Sequence, residues 1–334
     1  MAIVELVASE LTEWPPCALA FCPLDSRFLV VGTYQLEQDG SRHGALVIYD
    51  CFNDKLKQVN SVNSADSSIL DLKFSPHDAS LLVSAHSTGK ICLWRCIVDD
   101  DKLKVDLITT YKVADSSGIL ALSVCFSIAD PTKISVTLSS GEWKVVSLTS
   151  TKMPSLITAY AAHSLEAWTS AFSSNGSVLY SGGDDSCLSA FDLRMDVQVW
   201  KDSRSHGAGV TAILPFQGND MTLWTGSYDE SLRMWDVRGT YGRGKVVDEL
   251  PLGGGVWRLI PCTASDMQTD VLACCMHGGS RILSSADEAT KCYVDAYITD
   301  NHDSMVYGGD WTPDGESIAT CSFYDKKLNF WSVS

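Results

Sequence analysis

Thr222-Leu223-Trp224-Thr225-Gly226-Ser227-Tyr228-Asp229-Glu230-Ser231-Leu232-Arg233-Met234-Trp235-Asp236 is two apolar-rich runs joined by a turn. Gly, Ser and Asp supply the left-handed and side-chain-bonded conformations that a tight turn needs, so the stretch predicts a β-hairpin. Working outward, the run Ile213-Leu214-Pro215 lies just upstream and forms a third strand pattern. The same arrangement recurs along the chain. Its first mark is a bulky residue followed by a small or polar one and often Pro: Phe21, Phe74, Phe126, Phe172, Leu214, Ile260 and Trp311, spaced 42 to 53 residues apart. Its second mark closes an amphipathic run at Tyr49, Trp94, Val146, Phe191, Trp235, Leu283 and Trp331, spaced 44 to 52 residues apart. Two independent registers give seven copies.

Repeats of roughly 40–50 residues, each with strand-like runs and Gly/Asp turns, predict four strands per unit and a seven-bladed all-β propeller. Trp235-Asp236, Gly226-Ser227-Tyr228-Asp229, His163 and Ser205-His206-Gly207 carry a resemblance to the WD-repeat family, with Phe191 where that family usually has Trp. The last copy stops at Ser334, three residues after Trp331, and lacks an outer strand, whereas Ile3–Ala8 forms a strand pattern with no partner. The expectation is one domain over residues 1–334, with residues 1–10 supplying the closing strand of the last blade and hiding a sheet edge.

Composition narrows the function. The 334 residues are 45% hydrophobic and 20% charged, which excludes wholesale disorder. A formal charge of −16 opposes nucleic acid and anionic membranes as partners and favours a cationic one. No apolar run reaches the ~20 residues of a membrane helix. Met1–Glu10 has no basic segment, so the 12 cysteines read as reduced thiols of a cytoplasmic protein, nuclear forms remaining open. No CxxC pair is present to build a metal site, and there is no G-x-S-x-G elbow, P-loop, H-E-x-x-H or G-x-G-x-x-G fingerprint. A propeller without such motifs fits a non-catalytic scaffold or adaptor as well as an enzyme.

Three segments differ from ordinary blade filler: Ala162–Trp168, Gly253–Arg258 with Ala273–Gly279, and Asp303–Trp311. They fall where innermost strands begin or in turns between second and third strands, positions that converge on one channel mouth. His163 and His206 read as members of the buried hydrogen-bond network of each repeat, and Asp185 and Asp229 as turn formers. His277 lies in a turn beside Gly278 and is expected to be exposed; His86 is its counterpart in blade 2, with the same expected exposure.

These segments, with Tyr180–Asp185, Thr225–Glu230 and Cys22–Gln35, resemble the diphthine methyl ester hydrolases along essentially the whole chain. The resemblance implies a role in diphthamide biosynthesis, the modification of one histidine of translation elongation factor 2. The implied reaction removes a methyl ester from methylated diphthine and releases methanol. The elongation factor is then the protein partner, with other enzymes of that pathway as further partners, and the chain is expected to act as a monomer without cofactor or metal. Older descriptions call the family a methyltransferase, but no Rossmann-type methyl-donor site is legible here. Ester hydrolysis needs an activated nucleophile and donors for the oxyanion. The economical arrangement is water activated by His277, with Glu166 or Asp310 orienting the ring and backbone N–H groups of Gly254-Gly255 or Gly278-Gly279 as donors. Ser227 beside Asp229 is the alternative nucleophile. The quaternary ammonium of the implied substrate calls for an aromatic cage, for which Trp168, Trp257, Tyr307 and Trp311 are the candidates.

Overall fold

Each repeat folds as four antiparallel strands because its alternating side chains bury on both faces, against the repeats before and after it. The computed structural model describes residues 2–51, 55–64, 67–238, 244–264 and 270–334, so Met1 of the closing segment lies outside the described residues. Blade 1 comprises Pro16–Phe21, Phe28–Thr33, Ala45–Asp50 and Lys57–Asn63, counted from the channel outward. Blades 2 to 6 start their innermost strands at Ile69, Ala121, Ala167, Val210 and Arg258. Blade 7 comprises Val306–Trp311, Ser317–Ser322, Lys327–Val333 and, outermost, Val4–Leu11 from the other end of the chain. The architecture is a seven-bladed β-propeller.

Apolar side chains fill the seams between blades. Phe28, Ile48, Leu72 and Trp94 share one cluster across blades 1 and 2, and Tyr180, Trp200 and Trp235 share another across blades 4 and 5. Phe191 takes the usual Trp position in blade 4 and is held 4.9 Å from both Trp143 and Tyr160, so the departure is absorbed as packing. Hydroxyls in the seams tie histidines to tryptophans. His206 Nε2 and Trp235 Nε1 meet on Thr225 Oγ1 at 2.9 and 2.8 Å, and His302 and Trp331 meet on Thr320 Oγ1 at 2.8 Å each. His163 bonds Asp185 Oδ1 at 2.8 Å and Ser181 Oγ at 3.0 Å. His86, expected in the open, is 1% exposed and bonds Ser84 Oγ at 2.7 Å. His86 is the last residue of the second strand of blade 2 and pairs with both Ile69 and Lys90, so this imidazole is held in the seam and takes the hydroxyl that Trp94 Nε1 also uses.

Burial pushes His86, His206 and His302 down to about 4. Between a free imidazole's pKa of ~6.5 and that value, the unfolded chain binds protons that the fold refuses, so stability falls as pH drops through the window. Asp310, raised to about 6 by burial, acts in the opposite sense, but it is one group against three. The thermal midpoint is therefore expected to fall on going from pH 7 to pH 5, and His302→Asn to flatten that dependence. An unchanged midpoint across the range would contradict the neutral, buried histidines.

Closure joins the chain ends. Val4–Leu11 pairs antiparallel with Lys327–Val333, from Val4 opposite Val333 to Leu11 opposite Lys327, with a bulge at Val7. Ile3 and Ser334 exchange backbone bonds at 2.8 and 3.0 Å, and Ser9 Oγ donates to Asn329 Oδ1 at 2.6 Å. Deleting residues 1–10 removes this ladder and exposes the edge of blade 7. The expected cost is several kcal/mol out of a total of order 5–15, read as a lower, broader thermal transition; melting at the wild-type temperature would contradict it.

Candidate functional site

A repeated irregularity builds the channel mouth. In six blades the pairing of first and second strands slips near the start of the innermost strand, leaving Cys17, Leu70, Leu122, Trp168, Thr211 and Tyr307 unpaired. A β-bulge re-aims its extra residue. In blade 6 the matching residue is Trp257, since Val256-Trp257 aligns with Val210-Thr211, and its N–H donates to Cys274 O at 2.8 Å. Cys17, Leu70, Leu122, Trp168, Thr211 and Trp257 all line a cavity of about 320 Å³ in the central channel. The ring is lopsided: a thiol and two leucines on blades 1 to 3, aromatics on blades 4, 6 and 7.

The aromatic side is continuous. Trp168 and Trp257 lie edge to face at 5.4 Å, and Trp257 and Tyr307 lie tilted at 5.0 Å. Blade 5 contributes Thr211 to the ring, and the gap is closed by Tyr228 from its second turn, 6.2 Å from Trp168 and 5.8 Å from Trp257. Beyond Tyr307 come Phe323 at 5.5 Å and Tyr34 at a further 6.0 Å. Glycines let the turns close on this arc. A Cβ on Gly255 would meet Met276 Sδ at 2.7 Å and Tyr228 Cδ1 at 3.5 Å, and one on Gly254 would meet Cys275 O at 2.1 Å.

Carboxylates flank the Trp168–Tyr228 end of the arc. Trp168 Nε1 donates to Asp184 Oδ1 at 3.0 Å. Burial pushes the Tyr228 phenol well above its ordinary range, with Tyr307, Asp184 and Glu166 adding to the shift. Tyr307 is pushed up to about 12, again chiefly by burial. Both phenols are therefore neutral at physiological pH, and the acids beside Tyr228 make that end of the mouth attractive to a cation. The indole N–H of Trp257 is buried without a hydrogen-bond partner.

His277 sits in the turn between the second and third strands of blade 6, exposed, with Nε2 3.4 Å from Glu230 Oε1 in the neighbouring turn of blade 5. Its carboxylate is thus Glu230. Glu166 is in the loop entering blade 4, on the Trp168–Tyr228 side, and the structure gives it no contact with His277. Asp310 is corrected outright. Val306 N binds Met276 O beside His277, and Asp310 lies four residues down that strand, ~13 Å away at ~3.3 Å per residue. Its Oδ2 accepts from Phe21 N at 2.8 Å, fastening blade 7 to blade 1. Trp311 is also corrected: it is buried between blades 6 and 7 and donates to Ile260 O at 3.1 Å, so it belongs to the core and not the cage.

The Gly278 and Gly279 N–H groups close their own turn on Cys275 O and Met276 O, which removes them as oxyanion donors. Ser227 is fully buried, donating to Ala208 O and accepting from Asp229 N, and is no nucleophile. Asp229 accepts from Gly207 N and pairs with Arg233, a turn former as expected.

Comparison with known proteins bears on the fold and the family. The WD domain, G-beta repeat, matches residues 154–192 and 296–332. A chain from the crystal structure of a mitotic checkpoint complex superposes with a TM-score of 0.74 over 99% of this chain and 95% of that one, at 18% identity, a likeness of fold alone. The diphthine methyltransferase of Schizosaccharomyces pombe is 35% identical, over 97% of this chain and 96% of its own. The chain belongs to the diphthine methyltransferase family. The Saccharomyces cerevisiae member is 33% identical over 96% of each chain, and the human one 31% identical over 90% of this chain and 73% of its own. Family kinship spans every blade, so the arc and the turns around it lie within the region the relatives share.

Tyr228, Asp184 and Glu230 were not legible as site residues. All three lie in turns after a second strand, where Gly-Asp and Tyr-Asp-Glu read as turn chemistry. The signal that could have found Tyr228 is the ring itself: Thr211 interrupts an aromatic series, and the next long side chain on the same blade end is Tyr228.

Proposed function

We propose that this protein hydrolyses the methyl ester of methylated diphthine on translation elongation factor 2, giving diphthine and methanol within diphthamide biosynthesis. One observation carries the reading: Trp168, Tyr228, Trp257 and Tyr307 form one arc flanked by Asp184 and Glu166, in a chain of this family. A quaternary ammonium has no N–H to donate, so aromatic faces and unpaired acids are what recognise it, each face worth roughly 0.5–2 kcal/mol.

The relatives carry the name methyltransferase, which concerns a methyl group on diphthine. Hydrolysis is the finer reading, and the rim supports it with an exposed imidazole paired to a carboxylate. In the proposed reaction His277 takes a proton from water as the water oxygen bonds to the ester carbon, and Glu230 stabilises the imidazolium. The tetrahedral oxyanion then collapses, the carbon–methoxy bond breaks, and the proton passes to methoxide to give methanol. A carboxylate remains for later amidation. The acidic surface suits a cationic segment of the elongation factor, and the substrate places the work in the cytoplasm, with the propeller acting as a monomer.

Purified protein mixed with methyl-esterified elongation factor, without any methyl donor, is expected to release methanol in step with loss of the ester. Methanol at the no-protein rate would overturn the reading and leave the scaffold alternative.

A further inference from the structure

Arg258 follows Trp257 directly and crosses the channel from blade 6 to blade 2. Its Nη1 lies 2.8 Å from Asp71 Oδ1, and Nη2 donates to Leu70 O at 3.3 Å. Leu70 is the blade 2 member of the ring that carries Trp168 and Trp257, so the guanidinium spans the mouth immediately under the aromatic arc. Asp71 is 1% exposed and is itself held by Val124 N at 3.0 Å and Leu72 N at 3.0 Å. Arg258, Leu70, Asp71, Trp168 and Trp257 all border the one cavity. A guanidinium has five N–H groups, and the contacts above engage two of its nitrogens. Asp71 fastens blade 2 to blade 3 through Val124 N as Asp310 fastens blade 7 to blade 1, and Asp310 does so without a guanidinium, so the added cation costs desolvation that the fastening itself does not require.

The mouth is therefore dipolar, with acids on blades 4 and 5, aromatic faces on blades 4 to 7, and the Arg258 guanidinium on the channel side, where Lys73 also borders the cavity. A ligand matching it carries a positive and a negative end close together. In an α-amino acid that is trimethylated at nitrogen and esterified at its carboxyl, both groups sit on one carbon. We propose that Arg258 is the residue that binds the ester end: it donates to the carbonyl oxygen as that oxygen becomes an oxyanion, and then to the product carboxylate. This rests on the hydrolase reading, and it replaces the Gly278 and Gly279 donors that the turn consumes. Arginine suits the task because its planar fork matches two carboxylate oxygens.

The test uses the full chain in two variants, Arg258→Gln and the double variant Arg258→Gln/Asp71→Asn, since the single change strands a buried carboxylate. In a folded double variant, kcat is expected to fall roughly 10²–10³-fold, as for loss of an oxyanion donor. Two probes, tetramethylammonium and trimethylglycine, report binding without turnover. The wild type is expected to bind trimethylglycine more tightly than tetramethylammonium, and the double variant to bind the two alike. A folded double variant with wild-type kcat, or wild-type protein that binds both probes equally, would overturn the assignment. If the wild type binds trimethylglycine preferentially through Arg258 yet does not cleave the ester, the inference stands and the hydrolase reading falls.

Discussion

His277→Ala is expected to lower kcat by roughly 10²-fold or more, the loss typical of a missing general base, while leaving the thermal midpoint within a few degrees. That is ~2.7 kcal/mol of transition-state stabilisation. The structural reason for the split is that His277 is exposed at a turn, where its ring lies 3.4 Å from the Glu230 carboxylate. His163 predicts the opposite failure. It is buried, with Asp185 on one nitrogen and Ser181 on the other. Removing it strands the buried Ser181 hydroxyl at ~1–3 kcal/mol and takes from Asp185 one of several partners, Ser164 N and Lys201 Nζ remaining, so His163→Ala loses stability first and activity only through unfolding. Glu230→Gln is expected to give a smaller drop in kcat than His277→Ala and a changed pH–rate profile, because it acts through the imidazole. Rates and melting curves on the same preparations decide the matter. A stable, fully active His277→Ala protein would end the base assignment and turn attention to Glu166, the remaining sequence candidate at the rim.

Trp257→Ala is expected to raise KM about 10-fold or more with little change in kcat, because it removes the central face of the arc; cation–π contacts contribute up to ~2 kcal/mol when desolvated. Trp257 touches Trp168, Tyr228 and Tyr307, so its loss opens all three contacts at once. Tyr307→Ala, at the arc's edge, is expected to do less. Charge separates recognition from mere packing: a substrate analogue bearing a neutral tert-butyl group in place of the trimethylammonium should bind poorly to wild type and no worse to Trp257→Ala. Wild-type kcat/KM in a folded Trp257→Ala protein would place the cage elsewhere.

Much of the fold was legible because repetition averages over irregular copies. Blade 3 has Val146 and blade 4 Phe191 where Trp is usual, yet the spacing still sets both blades. The orphan Ile3–Ala8 pattern was readable for the same reason, as a strand with no partner nearby in sequence. The site was legible only where one residue type at one repeat position stood out. Trp168, Trp257 and Tyr307 did, and the bulge that aims them into the channel follows from their shared place in the repeat. Trp311 and Asp310 misled because they follow Tyr307 closely in sequence, but a strand carries each successive residue ~3.3 Å farther from the mouth. His86 misled because a turn after a strand was assumed to expose its last residue. The Glu230 partner of His277 and the Asp184 partner of Trp168 come from other blades or turns, and no local pattern joins them. Arg258 was visible in the sequence as the neighbour of Trp257, but its crossing to Asp71 is a property of the closed ring.

The most direct test of the account is to incubate the protein with methyl-esterified elongation factor in heavy-oxygen water and weigh the modified peptide. Hydrolysis through attack at the ester carbon predicts loss of one methylene's mass, offset by one heavy oxygen in the peptide carboxylate, with unlabelled methanol and no need for a methyl donor. A peptide that keeps its ester, or gains a methyl group only when a methyl donor is supplied, would contradict it.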